Sequence, residues 1–172
     1  MKTGLIIVHT GNGKGKTTAA LGLAMRAVGT GCRVCIIQFL KGKWKYGELT
    51  AIKKIPAIDM YPMGTGFTWD KESLDEDRTL AEKAWRKCVE VSLSGKYGMV
   101  IFDEINYILH YGLLDVNKVI QFLKERPQKL HVILTGRNAP LRIKRIADTV
   151  TEMRAIKHHF QKGIKAQRGI EY

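Results

Sequence analysis

Four short apolar runs constrain the fold of this chain more than any other feature. They consist largely of Val, Ile and Leu without alternating polar residues, and they cover residues 5–8, 34–37, 99–102 and 130–134. Continuous runs of this kind are typical of strands in a parallel sheet that is covered by helices on both faces. Two weaker strand candidates lie at residues 57–61 and 149–153.

Helical patterns occupy the spaces between these runs. We expect helices over residues 17–28, 73–93, 116–123 and 140–147. The second has a buried stripe of Ala81, Ala84, Trp85 and Cys88, and Asp115 is the expected N-cap of the third. The alternation, in a chain of 172 residues, predicts a single α/β domain over 1–172 with a doubly wound, mainly parallel sheet.

The chain is strongly basic. It has 29 Lys and Arg against 16 Asp and Glu, a formal net charge of +13, which favours polyanionic ligands such as a nucleotide triphosphate or nucleic acid. The C-terminal stretch at about 154–172 is basic, with Glu171 as its one acidic residue. This C-terminal arm is expected to be either an ordered segment over a site or a solvated tail.

Cysteine usage and hydropathy favour a cytoplasmic protein. The three cysteines are an odd number, the first residues lack the apolar core of a signal peptide, and no apolar run approaches the roughly 20 residues that cross a bilayer. Cys32 and Cys35 form a C-x-x-C pattern in a stretch that we interpret as a strand. Residues three apart in a strand point to opposite faces, so buried thiols are favoured over a redox pair.

A glycine-rich loop follows the first strand and opens the first helix. Such a loop cradles phosphates with backbone N–H groups and the positive end of a helix. Lys16 would contact phosphate oxygens and Thr17 would offer its hydroxyl to Mg²⁺. The loop is one residue tighter than the usual pattern, with Thr10 where glycine is common. Its candidate phosphate-binding residues are Gly11, Asn12, Gly13, Lys14, Gly15, Lys16, Thr17 and Thr18.

Two carboxylates end the third strong strand. Asp103 and Glu104 directly follow the apolar run 99–102, and the carboxyl ends of parallel strands form the edge where α/β sheets bind ligands. Hard oxygen ligands beside a phosphate loop suit Mg²⁺ that is shared with the phosphates. No glycine follows Gly13 at the spacing of a dinucleotide-binding loop, because position 16 is Lys16.

An ordered set of motifs makes the whole chain resemble the P-loop class of the ATP:corrinoid adenosyltransferase family. These motifs cover residues 11–18, 34–42, 64–69, 102–107, 134–140, 157–160 and 163–171. The resemblance implies a P-loop NTPase-like fold. It also implies a reaction in which Co(I) of a reduced corrinoid attacks the 5′ carbon of ATP and triphosphate leaves.

The resemblance also implies roles for particular residues. Lys16 and the loop 11–18 would bind the triphosphate, and Mg²⁺ would be held by Thr17 and Glu104 with Asp103 nearby. Phe67, Trp69 and Arg137 would lie at the corrinoid, the aromatic pair against its lower face. ATP and the corrinoid are the implied substrates, a reduced flavoprotein is the implied electron donor, and a homodimer is expected.

Two other functions remain open from the residues alone. An ordinary P-loop phosphotransferase or ATPase would cleave the terminal anhydride of ATP. A nucleic-acid-binding module would use the basic and aromatic run Lys41, Lys43, Trp44, Lys45 and Tyr46. Our expectation is that nucleic acid is not a partner and that the chain has no membrane span.

Overall fold

A parallel β-sheet organises the structure, a computed structural model that describes residues 3–42, 46–64 and 74–171. Within these residues the sheet has six strands in the order β3-β2-β4-β5-β1-β6, and every neighbouring pair is parallel. The four strong and two weak strand predictions are therefore confirmed. The strands are β1 (Ile6–Thr10), β2 (Val34–Gln38), β3 (Ile58–Pro62), β4 (Met99–Asp103), β5 (His131–Thr135) and β6 (Thr149–Glu152).

Helices cover both faces of this sheet. The four predicted helices are present, with ends that differ by a few residues, and Asp115 caps its helix by accepting a hydrogen bond from the Asn117 amide. Two six-residue helices and a 3₁₀ turn at His159–Lys162 were not predicted. The α-helices are α1 (Lys16–Gly29), α2 (Gly47–Ile52), α3 (Asp75–Leu93), α4 (Ile105–His110), α5 (Val116–Glu125) and α6 (Leu141–Ile146).

Strands β1 to β5 supply side chains to two apolar cores, one on each face, whereas β6 is exposed. Alternate residues of β2 divide between them: Ile36 packs with Ala24 of α1, whereas Ile37 packs on the face covered by α3. There Trp85 makes edge-to-face contacts with Phe102 and Phe122, with ring centroids 6.0 and 5.3 Å apart. Burial on both faces explains why these strands are apolar throughout.

The cysteines are free thiols. Cys35 lies in β2 and is fully buried, and burial raises the pKa of its thiol to about 12. Placing Cys32 in the same strand was wrong, because β2 begins at Val34. Cys32 is half-buried, and its thiol donates to the Arg33 carbonyl at 3.4 Å. The C-x-x-C pattern thus serves packing.

The sheet order determines which strand ends meet. Because β5 lies between β1 and β4, Thr135 at the end of β5 is placed between the glycine loop after β1 and the Asp103-Glu104 pair at the end of β4. Among the residues that the structure describes, no helix combines the length and apolar character needed to cross a membrane.

Candidate active site

The glycine loop joins β1 to α1 and is packed against the segment that follows β6. Gly11 and Gly15 adopt positive φ angles of 92° and 103°, a backbone conformation that favours glycine. Met153 makes two backbone hydrogen bonds to this region. Its amide donates to the Thr10 carbonyl at 2.8 Å, and its carbonyl accepts from the Gly13 amide at 2.7 Å. The Gly13 N–H therefore points to Met153, which leaves phosphate contacts to other amides of the loop.

Gly11→Ala should disrupt this loop. A Cβ at position 11 would overlap the Met153 carbonyl oxygen, and the positive φ adds strain, so we expect a loss of roughly 1–3 kcal/mol in the free energy of unfolding. Urea titration would measure it. The matched control is Gly22→Ala in α1, where a Cβ meets no atom within 4 Å and a gain of about 0.5–1 kcal/mol is expected. Equal stabilities for the two variants would contradict the packing.

Lys16, the first residue of α1, reaches back into the loop. Its ammonium donates to the carbonyls of Gly11 at 2.8 Å and Gly13 at 2.7 Å. The side chain is buried, and this burial lowers the pKa of Lys16. The two hydrogen bonds leave one N–H of the ammonium for a ligand. The charge is therefore fixed at the centre of the loop, where an anion would bind.

Asp103 is the hub of a buried hydrogen-bond network below the loop. Its Oδ1 accepts from the hydroxyls of Thr17 at 2.8 Å and Thr135 at 2.7 Å, and its Oδ2 accepts from the Gln38 amide at 3.0 Å. The residue is only 1% exposed. With three donors on its two oxygens, Asp103 holds the Thr17 hydroxyl by its proton, so that the oxygen lone pairs of Thr17 remain available to a cation.

Glu104 follows in a conformation that is unusual for a residue with a side chain. Its φ of 66° and ψ of 17° are left-handed, and it starts helix α4. Burial raises the pKa of Glu104 to about 7, and the Asp103 carboxylate acts in the same direction. Three nearby cations oppose this rise: Lys16, Lys41 and Arg137. A rarely populated backbone conformation and a shifted pKa in the same residue are both features of functional sites.

Two cavities open on either side of Lys14, Lys16 and Glu104. The larger has a volume of about 420 Å³ and is lined by the start of α1, by Lys41 and by residues 169–171. The smaller, about 220 Å³, is lined by Asn12, Gly13, Tyr107 and Arg137 besides the three shared residues. Two of its three lysines are ion-paired, Lys14 with Glu171 and Lys41 with Glu48. Lys16 and the N-terminus of α1 are therefore the groups in this cavity that best suit a phosphate chain.

The C-terminal arm reaches this cavity. Glu171 accepts a hydrogen bond from the Lys14 ammonium at 2.5 Å and lies 3.1 Å from the His159 ring. Gly169 and Ile170 complete the wall of the larger cavity beside it. Residues 169–171 of the arm are therefore part of the cavity wall.

The predicted site residues are distributed as follows. The structure gathers 11–18, Asp103, Glu104 and Arg137 at one edge of the sheet. Phe67 and Trp69 lie outside the described residues, as do Lys43, Trp44 and Lys45 of the basic and aromatic run. Sequence reasoning assigned no role to Gln38 and Thr135. A usable signal existed, because each is the polar residue that ends an apolar strand, as Asp103 does.

The oxygen donors at this edge suit Mg²⁺ but supply only part of its ligand shell. Thr17 and Glu104 both face the larger cavity and offer the hard oxygen ligands that Mg²⁺ prefers. The described ranges contain no group of three His, Cys, Asp or Glu side chains arranged around a metal position. Phosphate oxygens or water would therefore have to complete an octahedral shell.

Comparison with known proteins agrees with this geometry. The family described as ATP:corrinoid adenosyltransferase BtuR/CobO/CobP matches residues 2–172. A corrinoid adenosyltransferase of Sinorhizobium sp. is 46% identical over 98% of this chain and 80% of its own length. One from Escherichia coli (strain K12) is 44% identical, and corrinoid adenosyltransferase CobA of Salmonella typhimurium (strain LT2) is 43% identical, each over 98% of this chain and 86% of its own length. The chain belongs to the ATP:corrinoid adenosyltransferase family.

Proposed function

We propose that this chain transfers the 5′-deoxyadenosyl group of ATP to the Co(I) of a corrinoid, cobalamin or cobyrinic acid a,c-diamide, and releases tripolyphosphate. The observation that carries this proposal is the Lys16-centred glycine loop at the floor of the larger cavity, in a chain of this family. The cobalt electron pair forms the bond to C5′, and the C5′–O5′ bond breaks with its electrons on the leaving triphosphate.

The chain's own residues bind and orient in this reaction. Since cobalt is the nucleophile, no side chain has to attack, and the protein contributes positioning and electrostatic stabilisation. Lys16 and the loop 11–18 stabilise the charge of the leaving triphosphate. Thr17 and Glu104 would hold Mg²⁺, and Asp103 would act through the Thr17 hydroxyl. When bound, Mg²⁺ neutralises part of the negative charge on the phosphate oxygens.

The smaller cavity is the proposed approach of the corrinoid. Arg137 and Tyr107 line it, and it meets the nucleotide cavity at Glu104 and the two loop lysines. Phe67 and Trp69 keep the role that the family resemblance implies, at the lower face of the corrin. A reduced flavoprotein as electron donor, a homodimer, one domain over 1–172 and a cytoplasmic location complete the proposal.

The products of ATP distinguish this function from the others. Under anaerobic, strongly reducing conditions with corrinoid, ATP and Mg²⁺, we expect one tripolyphosphate to be released for each light-sensitive Co–C bond that forms. Anion chromatography measures the tripolyphosphate, and the spectral change on photolysis measures the Co–C bond. Release of orthophosphate without a cobalt product would instead identify an ordinary phosphotransferase or ATPase. Salt-sensitive binding of DNA or RNA without either product would favour the nucleic-acid module.

A further inference from the structure

The Thr135 hydroxyl contacts both members of the acidic pair at once. Thr135 is the last residue of β5 and is fully buried. Its Oγ1 donates to Asp103 Oδ1 at 2.7 Å and accepts a hydrogen bond from the backbone amide of Glu104 at 2.9 Å. One hydroxyl therefore joins the side chain of Asp103 to the backbone of Glu104.

The second of these contacts lies where the backbone is strained. A left-handed conformation costs a non-glycine residue of order 1–3 kcal/mol and persists only when its surroundings hold it. At Glu104 the hydrogen bond from its amide to Thr135 is such a restraint. Because φ and ψ set the direction of the Cα–Cβ bond, a restraint on this amide also limits the region that the Glu104 carboxylate can reach.

The next residue of the chain makes room for that carboxylate. Gly136 has a φ of 127°, and a Cβ there would lie 3.1 Å from Glu104 Oε2 and 3.0 Å from the Tyr107 amide. The end of β5 thus restrains the Glu104 backbone through Thr135 and accommodates its side chain at Gly136. Both contacts are made within the chain itself.

We propose that Thr135 is a positioning residue, which directs the Glu104 carboxylate into the larger cavity through the Glu104 amide and thereby sets how strongly a divalent cation strengthens ATP binding. This inference rests on the proposed function, in which Glu104 is a ligand of Mg²⁺. This role is distinct from any effect that Thr135 has through Asp103. Gln38 also donates to Asp103, whereas the Glu104 amide donates to Thr135.

The test is ATP binding by calorimetry, in Mg²⁺ and in EDTA, for Thr135→Val and for Thr135→Ser, which keeps the hydroxyl. Loss of a residue that orients a metal ligand typically lowers metal affinity about 10- to 100-fold. We expect Thr135→Val to reduce the Mg²⁺ enhancement of ATP affinity by about tenfold or more and to leave affinity in EDTA within about twofold. Thr135→Ser should retain the enhancement.

A double-mutant cycle tests whether Thr135 acts through Glu104. If Thr135 acts through Glu104, adding Thr135→Val to Glu104→Gln should produce no further loss, since residues that act together are not additive. Gln38→Leu, which removes a donor from Asp103 alone, should reduce the enhancement less than Thr135→Val does. Additive losses, an equal effect of Gln38→Leu, or an unchanged enhancement in Thr135→Val would each overturn the proposal.

Two further choices keep the result interpretable. Thr135→Ala removes the hydroxyl without introducing a second methyl group, and it replaces Thr135→Val in the same cycle if thermal melting indicates that the valine variant does not fold. The readout is binding rather than turnover. Absence of adenosyl transfer by the unmodified chain would contradict the proposed function, whereas an unchanged magnesium enhancement in the hydroxyl-free variants contradicts the role of Thr135.

Discussion

Lys16→Ala is expected to lower the rate of adenosyl transfer at saturating ATP by about 100- to 1,000-fold, the usual effect of removing one preorganised group that stabilises developing charge. The leaving triphosphate gains negative charge as the C5′–O5′ bond breaks, and the Lys16 ammonium is held at the centre of the glycine loop by two carbonyls. Formation of the Co–C bond, followed spectroscopically under anaerobic conditions, measures the effect.

Two controls distinguish a specific role of Lys16 from a general effect of removing one positive charge and from unfolding of the protein. Lys124→Ala removes one positive charge from the exposed last turn of α5, and its rate should stay within about twofold, as expected of a surface substitution away from the site. Thermal melting reports whether the loop change has unfolded the chain. A folded Lys16→Ala protein with an unaltered rate would show that the triphosphate binds elsewhere.

Glu104→Gln should make the ligand-free protein more stable at pH 8, by up to about 3 kcal/mol in the free energy of unfolding. Burial raises the pKa of Glu104 to about 7, above its ordinary value of 4.5. Between these values the folded chain keeps a proton that the unfolded chain releases. The carboxyl therefore lowers stability as pH rises through this window, and the amide does not.

Urea unfolding at pH 4.5 and pH 8, without nucleotide or Mg²⁺, tests this linkage. The difference between the variant and the unmodified chain should be small at the lower pH and large at the higher one. Glu125→Gln, an exposed carboxylate of α5, should change stability by no more than about 0.5 kcal/mol at either pH. A pH-independent difference for Glu104→Gln would contradict a buried, proton-binding carboxyl at this position.

The same substitution should weaken magnesium-dependent ATP binding, since an amide is a poorer ligand of Mg²⁺ than a carboxylate. Greater stability together with weaker ligand binding is the usual behaviour of a site whose charges are held for function. We therefore expect Glu104 to lower the stability of the ligand-free fold and to contribute to binding when a cation is present.

Secondary structure was predictable where the pattern was long or chemically distinctive. Strands β1, β2, β4 and β5 were identified because residues buried on both faces must be apolar throughout. Helices α2 and α4 were missed because six residues are too few to display a helical period. Helix α6 is equally short but was predicted from Pro140, a residue that is common at the start of a helix. The left-handed conformation of Glu104, the N-cap residue of α4, could not be predicted either, because that position is not a glycine.

Prediction of the site was limited in the same way. The glycine loop, which includes Lys16, and the Asp103-Glu104 pair are each a contiguous motif with recognisable chemistry. Gln38 and Thr135 are single polar residues, and their role follows from the adjacency of β2, β4 and β5. The contact between Glu171 and Lys14 joins residues 157 positions apart, a separation over which a single sequence carries no signal.

By itself, the amino-acid sequence determined the α/β class, the glycine loop and the family, because these depend on local patterns of hydropathy, glycine and charge. The tertiary structure alone decided that one carboxylate supports Thr17 while its neighbour faces the cavity, and that residues 169–171 of the C-terminal arm line part of that cavity. Those outcomes depend on strand order and on burial, which bring distant residues together and determine which charges remain in contact with water.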